Sequence, residues 1–254
     1  PRGNPAAPLR SAGEIKRIFK VYVLPVWKDE KIASIDQDDV VDLLDKVRSN
    51  RGARQSDAVF AQLSALFRWW VGKKKGFISP TLYVERATKT SERARSRVLG
   101  QDENGKWTRL DEIKDVWNAA SALGTFGAFI QLALLTGQRR EKLSKMRRQD
   151  IKDGVWTIPF VSGEKGAPGE LKLPQMALEI IERQPEVKDN PYVFAGRGKK
   201  AIAGFSAGKK LLDQKAPIPH WVIHDLRRTA KSLMRRARVD SEISEHVLGH
   251  RITG

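Results

Sequence analysis

The sequence predicts a mainly α-helical chain with a small antiparallel β-sheet (α+β), divided into two domains. Apolar residues recur at three- and four-residue spacing along most of its length. One alternating stretch, Val155-Trp156-Thr157-Ile158-Pro159-Phe160, leads into a turn rich in Gly163, Gly166, Pro168 and Gly169, then into Leu171-Lys172-Leu173, which is the pattern of a hairpin. Between them, ERATKTSERARSRVLGQDE is almost without apolar residues and marks a boundary. A chain of 254 residues that is 40% hydrophobic can bury one large core or two modest ones.

Taken in order, Ser11 and Glu14 form a capping-box pattern before Ile15, Ile18, Phe19 and Tyr22, a helix expected to stop at Pro25. A second helix follows Asp36, with Val40, Val41, Leu43, Leu44 and Val47 as its buried face up to Gly52. A third is expected from Ser56 or Asp57 through Val59, Phe60, Leu63, Leu66, Phe67 and Trp70, running out in Gly72-Lys73-Lys74-Lys75-Gly76, where cations suit a helix C-terminus. These make an all-helical domain over 10–84, followed by a basic linker over 85–106 and a second domain over 107–254. The second domain reads as helices over 110–122 and 125–137, the hairpin, a helix after Pro174 carrying Met176, Leu178, Ile180 and Ile181, and helices over 206–215, 225–238 and 240–249. The stretch Ala119–Leu135 is the most membrane-like, but Ser121, Gly124, Thr125, Gly127 and Gln131 interrupt it, and it falls short of the ~20 residues a span needs. It reads as buried helix.

Charge narrows the partner. Lys and Arg number 47 against 30 Asp and Glu, leaving +17. A compact fold with that excess repels itself unless it meets a polyanion, so nucleic acid leads, ahead of a ribosomal-type protein, a peripheral membrane protein or an incidentally basic enzyme. Within the linker, Arg86, Lys89, Arg93, Arg95 and Arg97 suit a segment lying along phosphates, as do Lys73 and Lys74 at the third helix end. The absence of cysteine excludes disulfides and thiolate metal sites, and PRGNPAAPLR has no apolar signal-type core, so a cytoplasmic, nucleoid-associated protein is expected. Pro1 without a methionine, and Gly254 after an ordered pattern, are expected to be points within a longer chain.

Phosphoryl transfer needs fixed positive groups where charge accumulates on oxygen and a proton donor for the leaving oxygen. Arginine meets phosphate oxygens in pairs, and histidine exchanges protons near neutrality. Thr136-Gly137-Gln138-Arg139-Arg140 places two arginines just after a buried helix, His224-Asp225-Leu226-Arg227-Arg228-Thr229 sets His224 and Arg227 on one helical face, and Leu248-Gly249-His250 closes the last helix. Each alone is as well read as a basic helix end or a capping histidine.

Together, TGQRR, a hairpin bearing Lys165, HDLRRT and LGH, in that order, resemble the tyrosine recombinase or phage integrase family, particularly the integrases of genomic islands and satellite phages. The resemblance covers essentially the whole chain and implies a helical core-binding domain followed by a catalytic domain. It implies that Arg139 and Arg227 clamp the non-bridging oxygens of a scissile phosphate and that His250 adds a hydrogen bond there. Lys165 would protonate the departing 5′-oxygen, and His224 would handle the proton of an attacking tyrosine. Double-stranded DNA is the implied partner, a tetramer on DNA the implied assembly of the intact protein, and neither metal nor cofactor is called for. Arg140 and Arg228 are expected at the DNA alongside.

Three departures from the family pattern stand out. Lys142 occupies the position where an acidic residue is usual, with Glu141 one residue earlier. Lys172 is a rival to Lys165. The nucleophilic tyrosine is expected about nine residues past the LGH histidine, beyond Gly254, while Tyr22, Tyr83 and Tyr192 read as structural, so this chain is expected to bind DNA without cleaving it, as a monomer. A non-catalytic DNA-binding regulator and a type IB topoisomerase remain the alternatives.

Overall fold

The computed structural model describes residues 11–89, 96–161 and 168–250. The chain divides into two compact units, Pro1–Arg95 and Ser96–Gly254.

The first unit is helical: α1 (Ala12–Ile18), a π-helical turn (Phe19–Val23), α2 (Leu24–Trp27), α3 (Gln37–Arg51) and α4 (Ala53–Val71). Ile18, Val23, Val40, Leu43, Leu44, Val47, Val59, Leu63 and Phe67 close its core. Around the first helix two expectations fail. No Ser11 cap forms, because Glu14 turns outward to bind Arg17. Pro25 does not end the helical path: it falls at the start of α2, directly after a π-helical turn whose wider hydrogen-bond spacing accommodates a residue without an N–H. Asp36 caps α3 with a reciprocal Asp39 bond, whereas Val41 faces outward. Nor do Ser56 and Asp57 start α4; both are buried in its first turns. The Ser56 hydroxyl donates to the Leu44 carbonyl at 3.0 Å, and the Asp57 carboxylate takes the Ala87 N–H at 2.8 Å together with the Thr88 hydroxyl.

Within the segment 85–106, residues 87–88 and 97–100 are packed, while Glu85, Lys89 and 103–106 are exposed. Besides the Asp57 anchor, Arg86 lies 5.7 Å above the Phe60 ring. On the far side Leu99 is fully buried, and its N–H donates to the Thr229 hydroxyl at 2.9 Å. Arg97 is spent on the buried Glu112 carboxylate at 2.6 Å, which also receives the Gly100 N–H at 2.9 Å, so Arg97 does not run along phosphates.

The second unit comprises α5 (Asp111–Ser121), α6 (Gly124–Thr136), α7 (Arg140–Ser144), a 3₁₀ turn (Arg148–Asp150), β1 (Ile151–Lys152), β2 (Val155–Ile158), β3 (Gly169–Lys172), α8 (Gln175–Glu182), α9 (Phe205–Lys215), α10 (Ile223–Arg236) and α11 (Ser241–Val247). The sheet is antiparallel in the order β1-β2-β3, with Trp156 opposite both Ile151 and Leu171, so β1 adds a strand to the expected hairpin. The core of the unit is built around α6, whose Phe129, Ile130 and Leu132 lie in one cluster with Val116, Leu143, Trp156, Phe194, Trp221 and Leu226. At Gly127 the α5 backbone comes so near that a Cβ would sit 1.7 Å from the Ala120 carbonyl oxygen. Among the described residues no helix is long and apolar enough to cross a membrane.

Candidate active site

Three chain segments meet at the C-terminal end of α6. Gly137 ends that helix in the left-handed region at φ 62°, which turns the chain sharply and sends Gln138 and Arg139 toward the end of α11. Glycine is required twice over, since a Cβ here would also come 2.8 Å from Leu248 Cδ2. The buried Gln138 amide donates to the Val247 carbonyl at 2.5 Å, and Arg139 Nη1 reaches the Gly249 carbonyl at 3.4 Å.

The second segment is the start of α10. Asp225, fully buried, takes the Val222 N–H at 2.8 Å and pairs with Arg228, which fixes the first turn. His224 and Arg227 then project one turn apart. Arg227, only 6% exposed, spreads its planar fork over all three segments: Nη1 donates to the Gly137 carbonyl at 2.8 Å, and Nη2 donates to the Leu248 carbonyl at 2.6 Å and meets His250 Nε2 at 2.8 Å. The third segment is Leu248-Gly249-His250. Gly249 is again left-handed, at φ 63°, and the His250 N–H closes back on the Glu245 carbonyl at 3.0 Å, turning the imidazole toward Arg227.

The electrostatics are those of an anion site. Burial first, and the Arg139 guanidinium second, lower the Arg227 pKa to about 10, with Glu245 opposing; Arg227 therefore stays charged at neutral pH. Loss of hydration, then Arg228 and Arg227, hold the His224 imidazole below the ordinary histidine value, with Asp225 opposing and Arg139 adding to the depression. Two guanidinium groups held close in a partly dry pocket favour an incoming anion over water.

The structure thus brings Arg227 and His250 into direct contact, seats Arg139 on the neighbouring Gly249 carbonyl, and sets His224 within the field of both guanidinium groups. Lys165, Arg93 and Arg95 lie outside the described residues. The strands flanking Lys165 do border the site: Ile158, Pro168, Gly169, Glu170 and Leu171 line a cleft of about 220 Å³ with His246, Gly249 and His250. Lys172 is exposed and paired in register with Val155. Lys142, 7% exposed, turns inward and donates to the Pro159 carbonyl at 2.9 Å, tying α7 to the end of β2. Arg140 is exposed and lies 5.2 Å over the Phe205 ring; Arg228 is engaged by Asp225. In the first unit Lys73, Lys74 and Arg86 are exposed. Tyr192 lies under the Arg147 guanidinium at 5.7 Å, and Tyr22 under that of Arg17 at 5.9 Å.

Sequence reasoning missed Glu245, which binds His250 Nδ1 and Lys231, and Thr229, which links Asp225 to Leu99. The signal for Glu245 was its position in the turn before LGH; an ordinary exposed glutamate looks the same in sequence.

A family model described as the phage integrase family matches residues 106–253. Prophage integrase IntF of Escherichia coli (strain K12) is 28% identical over 151 residues, covering 56% of this chain and 32% of that protein, so the chain spans about a third of this curated relative. Among solved structures, a lambda integrase dimer bound to a COC′ core site is similar with TM-score 0.74 and 16% identity, over 96% of this chain and 89% of that one. The Tn1549 transposon integrase in complex with circular intermediate DNA gives 0.73 at 12% identity, over 99% and 89%. The XerH site-specific recombinase bound to palindromic difH substrate gives 0.62 at 15%, over 92% and 70%. At such identities the likeness speaks to fold.

Proposed function

Because the chain belongs to the phage integrase family, we propose that it grips double-stranded DNA and holds the scissile phosphate in a tyrosine-type site-specific recombinase that integrates and excises a mobile element, of the genomic-island or satellite-phage kind. The observation that carries this reading is the junction of Arg139, Arg227 and His250, drawn from three distant segments onto one point.

A tyrosine oxygen attacks phosphorus, the bond to the 5′-oxygen breaks, and a phosphotyrosine conserves its energy until a partner 5′-hydroxyl reverses the step. Arg139 and Arg227 take the charge that grows on the non-bridging oxygens, and His250 adds a donor there. Lys165, which lies between β2 and β3 in the sequence, supplies the proton of the departing oxygen, a role supported by the cleft its flanking strands share with His250. The neutral His224 accepts the tyrosine proton. Lys73, Lys74, Arg86, Arg93, Arg140 and Arg228 contact the DNA backbone, and the intact protein works as a tetramer. The domains are 10–84 for core binding and 107–254 for catalysis. Tyr22 and Tyr192 are engaged beneath arginines, which supports a nucleophile other than these two; Tyr83 is exposed in the first unit and takes no part in the proposed site, so residues 1–254 bind DNA without cleaving it.

The test is covalent trapping. The protein from its complete reading frame should form a denaturant-stable adduct on duplex carrying the junction of its element, and Arg227→Ala should cut adduct formation by about 100-fold. Residues 1–254 should bind duplex with an affinity that falls steeply with salt and form no adduct. Relaxation of supercoils without site preference would identify a topoisomerase, and binding with no adduct from the complete protein would leave a DNA-binding regulator.

A further inference from the structure

His250 is held at both ring nitrogens. Its Nε2 lies 2.8 Å from Arg227 Nη2, and a guanidinium only donates, so Nε2 is the acceptor and the ring proton belongs on Nδ1. Nδ1 faces the Glu245 carboxylate. The second Glu245 oxygen takes the Lys231 ammonium. Lys231 follows Arg227 by one turn on α10 and so shares its face. One helix therefore supplies both the guanidinium at one side of the imidazole and the ammonium that steadies the carboxylate at its other side. Lys231 first, and His250 second, keep the Glu245 carboxyl below the usual carboxylate range, so it is an anion at neutral pH.

We propose that Glu245 is the positioning residue of His250: it selects the Nδ1-protonated imidazole, fixes the ring plane, and aims Nε2 at the phosphate site beside Arg227. Without Glu245 the ring is free to turn about its own axis, and the Arg227 contact alone does not set its plane. When a phosphate oxygen takes the Arg227 N–H, Nε2 faces an anionic oxygen and must donate to it. The ring then carries a second proton, taken from solvent, and the charge so created lies against Glu245. A carboxylate behind an imidazole that contacts the reacting group orients the ring and stabilises its cation. Lys231 keeps that carboxylate in place and prevents it from swinging to Arg227 instead.

The inference rests on the phosphate-site reading of Arg227 and His250, and two measurements separate their failures. In ¹⁵N-histidine spectra of residues 1–254, whose four histidines are few enough to assign by the loss of one signal set in His250→Gln, His250 should be the Nδ1–H tautomer. Glu245→Ala should bring in the Nε2–H form, while Glu245→Gln, which keeps an acceptor oxygen, should restore the Nδ1–H form. An Nε2–H ring in the wild type, or the same spectrum in Glu245→Ala, overturns the proposal whatever the DNA chemistry. In the complete protein, Glu245→Ala should slow adduct formation on the order of tenfold, and should slow it no further once His250 is alanine. Independent losses from the two substitutions overturn the proposal; no loss from His250→Ala by itself overturns the reading of the phosphate site. A fold defect would lower the melting temperature of Glu245→Ala, and the Glu245→Gln tautomer then still decides the matter.

Discussion

Arg227 donates to the carbonyl oxygen of Gly137 at 2.8 Å, so a side chain near the start of α10 satisfies the backbone at the end of α6. The same guanidinium takes the Leu248 carbonyl, and the pocket is thereby assembled from groups that also cap helix ends. Site geometry and local stability converge on one residue.

Arg227→Lys should separate the two. An ammonium is a compact donor that cannot span two carbonyls and an imidazole as a planar fork does. Adduct formation by the complete protein should fall about 100-fold, with a stability loss of only ~1–3 kcal/mol from the carbonyl left unpaired. Near-normal adduct rates in the lysine variant would show that the fork geometry is unimportant.

Gly137→Ala should be worse for stability than its size suggests. The left-handed backbone costs an alanine ~1 kcal/mol, and the added methyl presses on Leu248 and on Ala230 at 3.2 Å. Denaturant unfolding should show a loss of about 2–4 kcal/mol. Since Leu248 carries a carbonyl that Arg227 uses, salt-resistant DNA affinity should drop with it; an unchanged unfolding midpoint would contradict the packing described.

On the proposed reading, His224 should link DNA affinity to pH. In the free protein desolvation and the neighbouring guanidinium groups depress its pKa below 6.5. A phosphate that neutralises those cations raises it again, so between the two values the complex holds more protons than the free chain. Affinity therefore increases as pH falls through that window, and levels off above it. Binding isotherms of wild type and His224→Gln from about pH 8 to about pH 5.5 should diverge toward the acid end, with the variant flatter; parallel curves would remove His224 from the linkage.

Glu112→Ala tests the strap formed by residues 97–100. The Glu112 carboxylate holds Arg97 and the Gly100 N–H in a buried position. Its loss strands a guanidinium, at a cost of about 3–5 kcal/mol. Chemical denaturation should show it, and a change below about 1 kcal/mol would mean that water replaces the carboxylate.

Much of the fold was legible because periodicity is local. The buried faces of α3, apart from Val41, and of α4 followed from apolar spacing, α6 and α10 were legible as helices, and TGQRR, HDLRRT and LGH marked the three segments that the structure joins. What was not legible depended on partners far away in sequence. Pro25 reads as a stop until the π turn before it is seen, Ser56 and Asp57 read as caps because their bonds to Leu44 and to residues 87 and 88 lie elsewhere, and Arg97 reads as a phosphate contact until Glu112 is placed beside it. The strand β1 has two residues, too few for any alternation. Lys142, out of pattern for the family, gained a meaning only when its ammonium was found on the Pro159 carbonyl.

Gly127 lies far along α6 from any reacting atom, yet it lets the Ala120 carbonyl lie where a side chain would otherwise stand. Two rods seated that closely can neither roll nor slide past one another, so the height of the Gln138–Arg139 ledge is set at the opposite end of its own helix. A single methyl at that remote point should lift the ledge out of register with the Gly249 carbonyl, displacing Arg139 without any change to the residues beside it.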